Sequence, residues 1–560
     1  MRLERMAFFL APSRFSSQSH IEGPTAWPLS SRASLLFLIA GIAQALSLAW
    51  PFEGSFKGLP QGWLQCVSLA VLAGGLDRCQ TRKQAFAQAW LFALAWLLGS
   101  TWWLYISMHT YGGLPAPLAA FAVFILAAGL ALFYGAAGAL YFVICQAGVG
   151  VLARAFAFAA VWVLAELVRG TLWTGFPWGA GGYAHVDSVL QHWAPWMGVY
   201  GLSALSALLV MGVVAQHRGP DKTARGVWVC LILLSSALGY LWVTSPSQTA
   251  ATVAMSDKPL RVTLLQGNIP QDLKFSVGVS RALQDYRQAL LTSASDLTVT
   301  PETAIPLIPD QMPDQYWAAL QTHFAKGTQA ALIGLPLAKR TAQGELRYSN
   351  SAIGLTPQAT SAASTRYQYD KHHLVPFGEF VPPMFQWFVR MMNIPLGDFT
   401  RGPVAQPSLS FQGERIAPNI CYEDLFGEEL ARSFIDPDNA PTMLVNLSNI
   451  AWFGNTVAID QHLQISRMRA LELGRPMLRA TNTGATAIIN AQGQVTQRLP
   501  SAVPGALTAD VYGVHGPITP YARWVSVWGL WPLAGLALLT LLVVAGMAHA
   551  SRHGRRRFGP

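Results

Sequence analysis

Between residues 84 and 153 the chain carries no Asp, Glu, Lys or Arg. About a quarter of the residues in a typical soluble domain are charged, so a run of this length cannot cover a surface facing water. Its one interruption is His109-Thr-Tyr-Gly-Gly-Leu-Pro115, a turn-like sequence. The run therefore predicts two apolar helices forming a hairpin across a bilayer, where every backbone group must be satisfied within its own segment. The whole chain agrees: 560 residues are 52% hydrophobic and 12% charged.

Eight stretches are apolar and long enough to be read as spans, at about 33–52, 61–76, 86–108, 118–145, 151–168, 194–215, 227–243 and 524–548. Lys and Arg in the short flanking segments divide fifteen to three between the two sides. Arg2, Arg5, Arg14, Arg32, Arg78, Arg82, Lys83, Arg154, Arg218, Lys222, Arg225, Arg552, Arg555, Arg556 and Arg557 lie on one side, and Lys57, Arg169 and Arg523 on the other. The richer side is expected to be cytoplasmic, with both termini inside. The first stretch is read as a retained helix rather than a signal peptide, because further spans follow it. The formal net charge of +10 belongs to these flanks, so no nucleic-acid partner is expected.

Only seven of the 28 acidic residues precede residue 246, and the other 21 lie between 246 and 520. They mark a second domain. The expected organisation is a transmembrane domain at 1–245 with seven spans, an extracytoplasmic domain at 246–520, and at 521–560 an eighth span with a basic cytoplasmic tail. In the second domain short β-rich runs at 261–265, 297–300, 331–335, 351–355, 415–420, 442–446 and 485–490 alternate with helical patterns at 280–293, 315–326 and 458–473. This alternation predicts a layered α/β fold.

Inside the fifth span Glu166 and Arg169 lie three apart and share a helix face. They are either a structural pair or a polar site, because a carboxylate in a span is costly unless it is paired or faces a polar cavity. The following loop, Thr174-Gly-Phe-Pro-Trp-Gly-Ala-Gly-Gly-Tyr183, contains Trp178 and suits either an interfacial aromatic belt or a headgroup contact.

Three predicted strand ends carry reactive groups: Glu302 in Thr300-Pro-Glu-Thr-Ala-Ile-Pro306, Lys371 in Tyr369-Asp-Lys-His-His373, and Cys421 in Asn419-Ile-Cys-Tyr-Glu-Asp424. A thiol, an ammonium and a carboxylate are the parts of a covalent acyl-transfer site. The carboxylate can take the thiol proton, and the ammonium with a backbone N–H after Cys421 can hold the oxyanion. Singly, each has a plainer reading: a small core residue, a loop acid, a solubilising lysine. Of the five cysteines, Cys66, Cys145 and Cys230 fall in predicted spans and Cys79 in a cytoplasmic loop, leaving Cys421 as the one extracytoplasmic thiol. No CxxC pair or disulfide framework is present. His372 and His373 are adjacent, and on extended backbone would point opposite ways, so they receive at most a minor role.

The order Glu302, Lys371, Cys421 resembles the nitrilase superfamily, whose domains are α-β-β-α sandwiches with a Glu-Lys-Cys triad. The predicted spans, with Gln266-Gly-Asn-Ile-Pro270, Lys371-His-His-Leu-Val-Pro-Phe-Gly-Glu-Phe-Val-Pro382, Cys421-Tyr-Glu423 and Trp452-Phe-Gly454, resemble the apolipoprotein N-acyltransferases within it. The resemblance implies an inner-membrane enzyme with its site facing the periplasm. It would move an acyl chain from a phospholipid, typically phosphatidylethanolamine, to the amine of a diacylglyceryl-modified lipoprotein cysteine. It further implies Cys421 as nucleophile, Glu302 as base and Lys371 as stabiliser of the tetrahedral intermediate. Glu379, Tyr422, Glu423, Phe275 and Trp452 become supporting or substrate-binding residues. Thr300, Phe275 and Ile450 stand where that family often has Trp, Trp and Asp. No metal or organic cofactor is implied, and a monomer is expected. The segment 384–396 is too apolar for a solvated loop and is expected to meet lipid or acyl chains. The alternative reading is a membrane-tethered amidohydrolase of the same superfamily.

Overall fold

The computed structural model describes residues 29–145, 149–216, 255–274, 278–357, 367–381 and 399–557. The amino-terminal half is helical: α1 (Ser31–Leu46), α2 (Gly62–Arg78), α3 (Arg82–Thr101), α4 (Ala116–Cys145), α5 (Val151–Thr171) and α6 (Ala194–Ala215). The uncharged run folds as α3 and α4 packed side by side. Small residues on α4 permit the close approach: a Cβ on Gly138 would lie 2.8 Å from both the Ala85 carbonyl oxygen and the Ala89 methyl. The predicted turn is a bent helical segment, Leu104–Tyr111, set at 59° to α3, and the His109 Nδ1 lies 2.7 Å from the Leu114 carbonyl oxygen.

Among the described residues four helices are long and apolar enough to cross a membrane: Ala116–Cys145, Val151–Thr171, Val189–Ala215 and Trp531–Ser551, with the bent pair a fifth if it is one span. Two further expected spans form helices below that length, α1 falling short of 33–52 and α2 matching the short run at 61–76. Helix α1 has 16 residues and α2 has 17. The first ends before Pro51 in a loop that returns through a Trp50–Lys57 bridge. The stretch at 227–243 lies outside the described residues. The stretch at 524–548 is two helices, because Gly529 (φ 57°) breaks the chain between Pro520–Trp528 and Trp531–Arg557.

The second half contains, in chain order, β1 (Leu260–Gln266), α7 (Gly278–Thr292), β2 (Leu297–Val299), α8 (Tyr316–Lys326), β3 (Ala330–Arg340), β4 (Leu346–Leu355), β5 (Tyr367–Asp370), β6 (Leu409–Phe411), β7 (Glu414–Ile420), β8 (Met443–Ser448), α9 (Ala458–Leu473), β9 (Met477–Thr481), β10 (Ala487–Ile489), β11 (Val495–Arg498) and β12 (Gly505–Val511). They build two six-stranded sheets, ordered β12-β1-β2-β3-β4-β5 and β11-β10-β9-β8-β7-β6. Val262, Leu264 and Val299 of the first meet Ile416, Val445 and Leu478 of the second in one core. Helices α7 and α8 cover the outer face of the first sheet through Leu290, Leu320 and Phe324 against Ile333 and Ile353. Helix α9 lies against the second sheet. Its Leu463 and Met468 belong to the same apolar cluster as Phe92 and Trp162 of the helical half, so the two halves share a continuous core.

The hairpin β3–β4 runs beyond the predicted strands, pairing Ala331 with Leu355 through to Arg340 with Leu346. Its distal end is largely exposed, so no apolar pattern marks it. Strand β12 pairs with β1 over seven residues from the far end of the domain, a partnership between distant segments that local pattern cannot reveal. Among these twelve strands, β1-β2-β3 and β7-β8-β9 are parallel neighbours, and the site assembles where β2, β7 and β8 end.

Candidate active site

At the end of β7 the chain turns sharply into a short 3₁₀ turn, Cys421–Leu425. Cys421 has φ 53°, in the left-handed region that costs a side-chain-bearing residue of order 1–3 kcal/mol unless its surroundings enforce it. Several contacts do so. The Cys421 carbonyl accepts from Asn446 Nδ2 at 3.2 Å, and Ser448 Oγ lies 3.5 Å from Sγ. Two residues on, the buried Glu423 side chain accepts from Ile420 N–H (2.6 Å), His372 N–H (2.6 Å), His373 N–H (3.2 Å) and Tyr369 O–H (2.9 Å). One carboxylate thus ties the cysteine turn to β5 and to the segment that follows Lys371. Asp424 accepts from His462 Nε2 at 2.8 Å and Arg479 Nη1 at 3.1 Å, which anchors the turn to α9 and β9.

Lys371 is fully buried, and its ammonium donates to Glu302 Oε1 and to Glu379 Oε1, each at 3.0 Å. Asn350 Nδ2 donates to the same two oxygens at 2.8 and 2.7 Å. Donors and acceptors therefore alternate around a closed square, each oxygen receiving two donors. The second oxygen of Glu302 accepts from Asn449 N–H at 2.9 Å, and that of Glu379 from Val375 N–H at 2.8 Å. Burial would raise the Glu302 carboxyl, but Lys371 and Lys274 and the hydrogen bonds outweigh it and leave the group below its usual range. Burial would likewise lower Lys371, and the two carboxylates together with Cys421 reverse that, so it stays an ammonium.

Cys421 remains partly accessible, whereas Glu302, Lys371 and Glu379 are buried. Withdrawal from water pushes its thiol up to about 12 and the Glu302 charge adds to this, while Lys371, Ser448 and the Asn449 N–H pull the other way. The resting sulfur is therefore a thiol, and reaction requires a base to take its proton as the bond forms. The ammonium alone does not produce a standing thiolate, because two carboxylates already share its charge.

The remaining expected residues fall as follows. Tyr422 O–H donates to the Gly175 carbonyl at 3.3 Å. Trp452 sits in the turn after β8, edge-on to Tyr111 with ring centres 5.8 Å apart, so it joins the two halves. Phe275 and the apolar segment 384–396 lie outside the described residues. His372 and His373 occupy a bend rather than extended backbone, yet their rings still part. His372 Nδ1 meets the Gly402 carbonyl, and His373 contacts Glu429 and the Thr174 carbonyl and stacks on Phe426. Thr300 is buried and accepts from Gly334 N–H at 3.0 Å, and Ile450 packs in the apolar core.

Glu166 and Arg169 are both buried but hydrogen-bond to other groups rather than to one another. Gly181 N–H donates to Glu166, and Arg169 donates to Tyr134 O–H and to the Phe176 and Trp178 carbonyls. They fix the aromatic loop, which meets the site through the Thr174 and Gly175 carbonyls. Gly175 (φ 71°) lets that loop turn tightly, since a Cβ there would lie 1.9 Å from the Gly170 carbonyl oxygen. Trp178 is itself buried, donating to Gln461 Oε1 of α9 at 2.8 Å, which makes it a joint between halves. The sequence reading missed Lys274, Asn350, Asn449, Gln271 and Asn482, the last three joined in an amide chain beside Glu302. Uncharged amides on strands and loops carry no periodic signal. Only Gln266-Gly-Asn-Ile-Pro270, which runs into Gln271 and Lys274, hinted at this edge of the site.

Replacing Glu423 by Ala should leave three N–H groups and one hydroxyl without an acceptor. Each unmet buried donor costs about 1–3 kcal/mol, so a loss of at least about 4 kcal/mol is expected. Thermal unfolding in detergent checks it, and Glu423→Gln should recover only part, because its amide NH₂ cannot accept.

Residues 261–512 match the family model described as carbon-nitrogen hydrolase, which defines the two-sheet domain as nitrilase-like. Residues 40–212 match the model described as the apolipoprotein N-acyltransferase N-terminal domain. The chain is 53% identical over 520 residues to apolipoprotein N-acyltransferase of Verminephrobacter eiseniae, covering 88% of this chain and 92% of the relative. The enzyme of that name from Ralstonia nicotianae is 44% identical over 88% of this chain and 90% of its own, and that of Bordetella bronchiseptica 40% identical over 95% and 98%. The chain belongs to the apolipoprotein N-acyltransferase family, a membrane-associated branch of the nitrilase superfamily.

Proposed function

We propose that this protein transfers an acyl chain from a membrane phospholipid to the amino-terminal amine of a diacylglyceryl-cysteine lipoprotein, through a thioester on Cys421. The observation that carries the reading is the half-buried Cys421, whose thiol is under the electrostatic influence of the buried Glu302 and Lys371 that cluster with Glu379, in a chain of this family. Glu302 takes the thiol proton as sulfur attacks the ester carbonyl, and Lys371 with nearby backbone N–H groups holds the oxyanion. Collapse expels the lysophospholipid alkoxide, which receives the proton from Glu302. The lipoprotein amine then attacks the thioester. Glu302 takes the proton that the amine sheds and returns it to the departing sulfur, which restores the free enzyme.

Glu379 keeps Lys371 in place, Glu423 and Tyr422 brace the cysteine turn, and Phe275, Trp452 and the segment 384–396 would border the lipid path. Phosphatidylethanolamine is the donor we favour, with the protein acting as a monomer. In the proposed topology residues 1–245 and 521–560 supply eight spans of the bacterial inner membrane, with both termini cytoplasmic. Residues 246–520 then face the periplasm. The fifteen-to-three distribution of cations supports that orientation. Reporter fusions placed after residues 222 and 350 test it, and activity of a cytoplasmic reporter at residue 350 would overturn it.

Incubation with acyl-labelled phosphatidylethanolamine should give one labelled thioester, mapped to Cys421 by mass spectrometry, with release of lysophospholipid. A diacylglyceryl-cysteine peptide should then discharge it to an amide. A label that reaches water and not the peptide would favour the amidohydrolase reading.

A further inference from the structure

The triad leaves a charge imbalance beside the sulfur. Glu302 and Glu379 bring two negative charges and Lys371 one positive, all three buried, and the buried Glu423, pushed up to about 7 by burial, acts on Lys371 from the cysteine turn. A net negative cluster opposes the step it must promote, in which a further negative charge develops on Cys421. A second cation is present. Lys274 is 3% exposed, and its ammonium donates to the Glu302 backbone carbonyl at 3.1 Å. Its charge acts on the Glu302 carboxylate from the loop after β2 and on Cys421 from the end of β7, with Lys371 and Glu379 beyond Glu302. A lysine placed only for packing would carry its head to water. Here the head is turned inward onto the reaction centre, on a stem that follows directly from the Gln266–Gln271 edge.

We propose that Lys274 is a positioning residue of the reaction centre: seated on the Glu302 carbonyl, it neutralises the Glu302–Glu379 pair and supports the charge that builds on the Cys421 sulfur. This rests on the thioester reading above. Two consequences follow from the sign of its charge. Lys274 helps to hold the Glu302 carboxyl low, so removing it raises that group and moves the ascending, acidic limb of activity to higher pH. Burial also pulls Lys274 itself down to about 8, against the opposing pull of Glu302 and Cys421. Its own deprotonation therefore falls within a working pH range and should produce a descending limb near pH 8.

The test is single-turnover formation of acyl-Cys421 by the full-length protein in phosphatidylethanolamine nanodiscs, followed from about pH 3 to about pH 10 so that the low Glu302 limb lies inside the window. Using the first half-reaction alone keeps the acceptor amine's titration out of the profile. Lys274→Met should slow acylation at least tenfold and move the acidic limb upward by about one pH unit, since a tenfold change in proton affinity is one unit. Lys274→Arg keeps the charge, so it should restore the acidic limb and carry the descending limb above that of the wild type. Unshifted limbs in both variants, or a Lys274→Met variant that is slow with an unchanged profile, would overturn the proposal. Should Lys274→Met not fold, the descending limb of the wild type against that of Lys274→Arg decides, and coincident limbs overturn it. Cys421→Ala serves as the control: an acyl adduct on that variant would refute the thioester reading and not the place of Lys274.

Discussion

Replacing Cys421 by Ala is expected to abolish thioester formation and lower acyl transfer by at least about 10⁴-fold, the scale on which nucleophile–base units fail when the nucleophile is removed. The fold should survive. Cys421 contributes a small, partly exposed side chain, and the bonds that hold its turn come from Asn446, Glu423 and Asp424. Alanine meets the same left-handed backbone, and the turn is still enforced from outside. Mass spectrometry of the variant after exposure to labelled phospholipid should show no adduct, with an unfolding temperature close to that of the wild type. Undiminished transfer would remove the covalent mechanism altogether.

Replacing Lys371 by Met should have the second largest effect, and a different character. The ammonium stands 3.0 Å from two carboxylates, both buried, and its loss leaves them facing each other with only Asn350 between. Removing one partner of a buried ionic cluster costs roughly 3–5 kcal/mol. One of the carboxyls should then take up a proton. If Glu302 does so, the base is lost along with the oxyanion's support. Activity is expected to fall by about 10³-fold or more, on the scale of losing an oxyanion donor together with a general base. The double variant Lys371→Met/Glu379→Gln separates the two losses, since it removes one of the opposed charges. It should recover most of the stability and none of the activity. Recovery of both would make Lys371 a structural residue only. Because Glu302 is held low in the native state, its contribution to stability is present above its unfolded value and lost as pH falls through the lower folded value. The acid lability due to Glu302 should therefore appear below the usual carboxylate range in the wild type, whereas in Lys371→Met, where a carboxyl takes up a proton on folding, that site should gain stability as pH falls.

The sequence disclosed the reactive groups because chemistry that needs charge on a buried strand end stands out against an apolar background. Glu302 and Cys421 follow runs read as strands, at 297–300 and 415–420, and lie where β2 and β7 end; Lys371 follows β5, which none of the β-rich runs covered, and helix α9 coincides with its predicted bounds of 458–473. Other parts left no such mark. Asn350 lies on a strand whose pattern reads the same with or without it, and Lys274 reads as one more polar loop residue. Trp178 suited a membrane interface equally well, until its indole was found on Gln461, 283 residues further along the chain.

Composition by itself determined that part of this chain must be shielded from water and that an acid-bearing domain is set into it, since the hydrophobic effect acts on every residue wherever it lies in the chain. The type of most elements followed as well, because periodicity is a local property. Tertiary structure alone decided which carboxylates share one ammonium, that burial pushes the Cys421 thiol up, and that a second buried lysine is seated on the Glu302 carbonyl. Those outcomes depend on burial and on distances of a few ångströms between groups tens to hundreds of residues apart. Coulombic and desolvation energies change steeply over such distances, and no order of residues along a chain encodes them directly.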